Sequence, residues 1–260
     1  MPPAIELKPA LATALKFHRP ELVPYITAWS SERPPRSLVV ATEKGIGYAD
    51  EGPYDRDVDG VLWTRCAWGP GKGRPEFGKV HALRQRRAMR KLLCQVCGRP
   101  ADRTADGLLW LITEDPGNPG SWPNPLTTTH PPVCLTCAKR AVRACPYLGS
   151  EYVAVRASEF APAGVHGALY RPGAPKPVVT QIGGVEYSDP RIHWLRAGQL
   201  IVRLDRFTVV DLEAECSAAG DASGLGGRMT DPSPADDAAM DAYLDAIDRG
   251  LTQRRGGGAA

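Results

Sequence analysis

Nowhere among the 260 residues does an apolar run approach the roughly 20 consecutive positions that a spanning helix needs, which excludes that class of membrane protein. The first residues, Met1-Pro-Pro-Ala-Ile-Glu6, lack the charged, apolar and cleavage regions of a secretory leader, so a soluble protein is expected. A strong charge imbalance is missing too. The 32 Lys and Arg stand against 29 Asp and Glu, and a net charge of +3 is small for a dedicated DNA binder. The five histidines are scattered, and no Ser-His-Asp or Cys-His set can be argued from their spacing. The glycine-rich run Trp68-Gly-Pro-Gly-Lys-Gly-Arg74 falls short of a phosphate loop, because Cys66 stands where the first glycine belongs and Gly73 where a Ser or Thr must follow Lys72. It reads as a flexible turn whose Lys72 and Arg74 can touch phosphate. No repeat at solenoid periods is found.

What the chain does have is cysteine in a telling pattern. Cys94-Gln-Val-Cys97 and Cys134-Leu-Thr-Cys137 are two pairs, each with two residues between its cysteines, which lets both sulfurs of a pair reach one ion. Four thiolates close the tetrahedral coordination of zinc, so the ion expected here is structural. A redox motif would suit a single pair better than two. Cys66, Cys145 and Cys216 have no spacing that suggests a disulfide framework, and a reducing cytoplasm is the expected compartment.

The fold class expected is α+β. Between the cysteine pairs, the turn residues Ala105-Asp106-Gly107 lead into the apolar run Leu108-Leu-Trp-Leu-Ile112, which predicts a β-hairpin. After a Pro- and Gly-rich loop, good helix formers run on from the second pair to Ala144, predicting a helix that carries the last two ligands. Knuckle, hairpin and helix in that order resemble a treble clef, over about Leu93 to Leu148.

Around this module the expected divisions are residues 1–78, an N-terminal segment with a small sheet; 79–148, a basic helix plus the zinc module; 149–216, an antiparallel β region; and 217–260, a linker and tethered helix. Within the first, a helix is predicted over Glu21–Ser30 and strands over Ser37–Thr42 and Val61–Trp68. In the third, strands are predicted over Tyr152–Arg156, Gly164–Tyr170, Val178–Ile182, His193–Leu195 and Leu200–Val210, forming an irregular sheet. Residues 218–234 are Gly, Ser, Asp and Pro in bulk and cannot bury enough apolar surface to order themselves.

Two surfaces are candidates for partners. From Lys79 to Leu93 the period is helical, with Ala82, Met89, Leu92 and Leu93 on one face and Arg84, Arg86, Arg87, Arg90 and Lys91 on the other. With Lys139, Arg140 and Arg143 of the second helix, these cations suit weak, sequence-independent contact with nucleic acid, or equally a solvated face or a set of salt bridges to acidic residues elsewhere. In the tail, Met240, Tyr243, Leu244, Ile247 and Leu251 form an apolar stripe on an acidic helix, suited to a partner's groove or to a cover for the chain's own basic face.

Residues 84–101 and 131–148 resemble a group of zinc-binding proteins of actinobacteria and their phages. In size and layout the chain also resembles the recombination directionality factors that accompany large serine integrases. That resemblance implies a protein without catalytic residues that binds the integrase and favours excision over integration. The HNH nucleases are treble clefs too, but their chemistry needs a histidine base on the hairpin and a second, catalytic metal. Here only His130 lies inside the module, and Ala138 follows the second pair. His130 is read as a loop residue or a hydrogen-bond donor behind the ligands, and Cys145 as a packed cysteine. A nuclease and a zinc-dependent transcription factor remain as alternatives to the regulator.

Overall fold

The computed structural model describes residues 22–52, 55–113, 126–145, 148, 152–218 and 242. The protein is mixed α+β, dominated by sheet. Among the described residues no helix is long and apolar enough to cross a membrane.

The elements in chain order are β1 (Thr27–Trp29), β2 (Val39–Thr42), β3 (Gly45–Tyr48), β4 (Leu62–Trp63), β5 (Pro75–Val80), α1 (Ala82–Lys91), β6 (Arg103–Thr104), β7 (Gly107–Thr113), β8 (Leu126–Thr128), α2 (Leu135–Ala144), β9 (Tyr152–Arg171), β10 (Val178–Glu186), a 3-10 turn (Pro190–Trp194), β11 (Leu195–Val210) and α3 (Leu212–Ala218). The long strands β9 and β11 pair antiparallel along most of their length and form the spine of a seven-stranded sheet. On the far side of β9 lie β7, with β6 beyond it, and β10; on the far side of β11 lie β4 and β8. Strand β4 comes from early in the chain and is the one parallel member.

Strand β7 shows why the apolar run Leu108–Ile112 has no polar alternation: it is covered on both faces. Leu108, Trp110 and Ile112 point into the larger core with Val155, Val165, Leu195, Val202 and Leu204. Leu109 and Leu111 point the opposite way, into a second core with Cys94, Val96, Val133, Ala138, Ala141 and Leu212. Helix α1 docks on β11 through Gln85, whose amide donates to the Thr129 and Leu200 carbonyls at 2.7 and 3.0 Å and accepts from the Leu200 N–H at 2.9 Å. Every arm of this buried amide is used where β11 bulges between Ala197 and Gln199.

Several expectations need correction. Residues 27–29, expected within a helix over Glu21–Ser30, form β1, paired with β5; β-branched Ile26 and Thr27 and the N–H-less Pro24 disfavour a helix, and Glu21 lies outside the described residues. The helix expected from Lys79 begins at Ala82, because residues 75–80 extend to pair with β1. It ends at Lys91, where Leu92 turns left-handed (φ 55°) and donates to the Ala88 carbonyl. The strand expected over Val61–Trp68 covers only Leu62–Trp63. The two strands expected on either side of Pro162 are one, since Pro162 sits at a bulge where no ladder donor is required. His193 belongs to the 3-10 turn, and β11 begins at Leu195.

Candidate metal centre

The first cysteine pair sits in a tight knuckle after α1. The Cys94 N–H donates to the Arg99 carbonyl at 2.7 Å and the Gly98 N–H to the Cys94 carbonyl at 2.8 Å, while Leu93 and Pro100 bridge across the base. Gly98 makes the turn at φ 69°, a conformation that side chains disfavour, and a β-carbon there would press on the Tyr25 ring at 3.0 Å. The second pair opens α2: Cys134 is its N-cap residue and Cys137 lies in its first turn, where the helix dipole favours thiolate. Residues 132–133 tie the parts together, for the Gln95 N–H reaches the Pro132 carbonyl (3.0 Å), the Val133 N–H the Leu109 carbonyl (2.9 Å), and the Asp102 N–H the Val133 carbonyl (3.0 Å). Knuckle, the β6–β7 hairpin and α2 are thus held in register by backbone.

The four sulfurs converge. Their ligand atoms all lie within 4.8 Å of one another, with the Cys97 and Cys134 Sγ atoms 3.9 Å apart. Sulfurs at the zinc–thiolate distance of about 2.3 Å define a tetrahedron of edge about 3.8 Å, so the set has the right size for one ion. The thiols differ in acidity: Cys134 lowers Cys97 and raises Cys94 and Cys137, while Cys137 lowers Cys134. Four thiolates at this spacing can coexist only around a cation, and these residues could hold one.

Below the site, buried Arg156 braces the hairpin to α3. Its guanidinium binds both oxygens of Glu215 at 2.8 and 2.6 Å, Asp102 at 2.6 Å and the Gly107 carbonyl at 3.2 Å, and Glu215 foremost raises its pKa. Sequence reasoning passed over this residue, although an Arg between the apolar Val155 and Ala157 in a strand was the available signal. His130 is not among the converging ligands. Its N–H donates to Thr128 Oγ1 at 3.0 Å, its carbonyl accepts from Trp110 Nε1 at 3.1 Å, and although the residue reaches solvent, the groups crowded around its imidazole push the pKa down. Cys66, Cys145 and Cys216 are free and half-buried, and burial raises the Cys66 and Cys216 thiols.

Of the readings open for the basic face of α1, salt bridging to a distant acidic residue holds for Arg84, and the face is not a solvated one. Arg84 is 1% exposed and forms a two-pronged ion pair with Glu32, at 2.6 and 2.7 Å, while also donating to the Thr27 carbonyl at 2.7 Å. Buried Arg86 lies over the Trp63 ring, and Arg87 lies over the Tyr25 ring and donates to its hydroxyl. Arg90 and Lys91 are half-buried, and burial beside Arg87 pushes Lys91 down. On α2, by contrast, Arg140 and Arg143 are exposed and Lys139 is half-buried. The tail stripe of Met240, Tyr243, Leu244, Ile247 and Leu251 lies outside the described residues.

Comparison with protein-family models, with curated proteins and with solved structures found no match.

Proposed function

We propose that the four sulfurs hold a structural zinc ion, that the module around it is a treble clef, and that the chain acts without bond-breaking chemistry as a regulator of a DNA transaction. The observation that carries this reading is the convergence of four thiolate ligands, which closes tetrahedral coordination and leaves no position for water or substrate. The hairpin carries no histidine, and among the described residues no second group of His, Cys, Asp or Glu converges as a nuclease metal site would require.

A regulator of this kind works by binding one state of its partner better than another. The weaker resemblance in size and layout to recombination directionality factors supports a large serine integrase as that partner, with excision favoured over integration. Purified protein, integrase and attachment-site DNA test it together. The expected outcome is a stable complex with the integrase by gel filtration, recombination shifted towards excision, and no nicking of plasmid by the protein with magnesium or manganese. Metal-dependent nicking abolished by His130→Ala would establish the nuclease instead, and tight, salt-sensitive binding of a defined duplex by the protein alone would establish a transcription factor.

A further inference from the structure

The glycine-rich run from Trp68 to Arg74 is rigidly mounted. Ser31 Oγ donates to the Gly69 and Lys72 carbonyls at 2.9 and 2.8 Å, the Ser30 N–H donates to the Arg74 carbonyl at 2.9 Å, and Ser30 Oγ accepts from the Arg74 N–H at 3.1 Å. The buried Glu32 carboxylate accepts from the Gly69 N–H at 3.2 Å while paired with Arg84. Gly73 turns at φ 81°, and a β-carbon there would meet Ser30 Oγ at 2.2 Å. The Trp68 ring is fixed against His81, which meets it edge-on at 5.8 Å, and against the Arg84 guanidinium 5.5 Å from its centroid. It nonetheless stays 40% exposed.

Next along the chain, β5 leaves its pairing: Val80 faces Thr27 and Glu76 faces Ala28, so Phe77, Gly78 and Lys79 have no opposite residue and bulge outward. Phe77 is 47% exposed there. From Trp68 to Val80 the cations Lys72, Arg74 and Lys79, all exposed, stand against Glu76 alone, whose carboxylate pairs with Lys79 at 3.1 Å in an exposed contact that a phosphate can replace, and exposed Arg33 follows the serines that hold the loop.

Two exposed aromatics interleaved with cations on a pre-organised backbone match what an unpaired nucleic-acid strand requires: flat faces for bases and positive charge for phosphates. We propose that this ribbon, with Trp68 and Phe77 as stacking surfaces and Lys72, Arg74 and Lys79 as phosphate contacts, is a binding site for single-stranded nucleic acid. A duplex keeps its bases stacked and offers the ring faces nothing. This site stands whether or not the partner protein is a recombinase.

Fluorescence anisotropy of the pure protein with a labelled oligothymidylate of about 16 nucleotides, the upper site size of a single such platform, tests it. Trp68→Ala should weaken binding roughly 5- to 150-fold, the loss of one base–aromatic stack, and Trp68→Phe should retain most of the affinity. The pair Lys72→Ala and Arg74→Ala should lower the slope of log K against log salt by about 1.4. Lys176→Ala, in the exposed turn between β9 and β10, should leave affinity unchanged. The proposal is overturned by absence of oligonucleotide binding, by equal affinity for a duplex or heparin, by affinity indifferent to Trp68, or by a Trp68→Phe loss as large as that of Trp68→Ala. It is likewise overturned if Trp68→Ala leaves oligonucleotide binding intact and weakens only an integrase complex, which would make the ribbon a protein contact.

Discussion

Helices α1 and α2 each have 10 residues, a basic last turn and no acidic residue in the first turn, yet their cations have opposite fates. The α1 arginines turn inward onto Glu32, Trp63 and Tyr25; the exposed α2 arginines face water. Their N-caps differ in the same sense. His81 accepts a hydrogen bond from the Arg84 N–H and belongs to the buried cluster, whereas Cys134 makes no side-chain cap bond and places its sulfur in the four-cysteine cluster that could hold a metal. One helix is held by a buried ion pair, and the other opens on two of the four clustered cysteines. A cation on a helical wheel therefore says nothing of exposure until its partner is known, and the carboxylate for Arg84 lies 52 residues away.

This difference can be broken from either side. The largest effect is expected at α2: apparent zinc binding energies of about 10–16 kcal/mol exceed the total stability of most domains, so Cys97→Ser, Cys134→Ser or chelation should unfold the module, seen as lost circular dichroism with lost stoichiometric zinc. At α1, Arg84→Ala leaves the Glu32 carboxylate buried and unpaired and should cost about 3–5 kcal/mol in denaturant titrations with zinc retained. Replacing both partners, Glu32→Leu with Arg84→Met, should recover part of that loss, the remainder reflecting the Trp29 and Gly69 N–H groups that lose their acceptor.

A smaller effect is expected from pH. Burial, then Arg84, pushes His81 down to about 4 from 6.5, against the attraction of Glu32. The unfolded chain therefore takes up this proton first: the contribution of His81 is complete above pH 6.5 and is lost as pH falls towards about 4, by at most about 3 kcal/mol. Burial raises Glu32, but Arg84 and His81 outweigh it and hold the carboxyl below 4.5, so its contribution fades at still lower pH. Melting temperatures from pH 7.5 to 4 should decline for the natural chain and more shallowly for His81→Asn, which keeps a capping acceptor. Least affected should be Arg140→Ala and Arg143→Ala, within about 0.5 kcal/mol, because among the described residues both are exposed and neither side chain forms a hydrogen bond or an ion pair.

The metal centre was the most legible part of the sequence, because its signals are local: the cysteine spacing, the turn before Gly107 and the helix-forming run after Cys134 act over a few residues. Strands beside Pro and Gly were less legible. Pro162 reads as a break until β9 is seen to bulge beside it, at Ala163, and Thr27–Trp29 reads as helix until β5 comes to pair with it. The braces were hidden for a similar reason, since Gln85 meets Leu200 across 115 residues and Arg156 meets Glu215 across 59.

The amino-acid order by itself determined the ligand set and the succession of knuckle, hairpin and helix that presents it, because neighbours along the chain dictate turns, caps and the reach of paired thiols. Which charges are spent inside the protein and which face solvent was decided only by tertiary structure. A guanidinium can be buried only where a carboxylate or an aromatic ring from a distant segment arrives to compensate its lost hydration, and that arrival is a property of the whole fold.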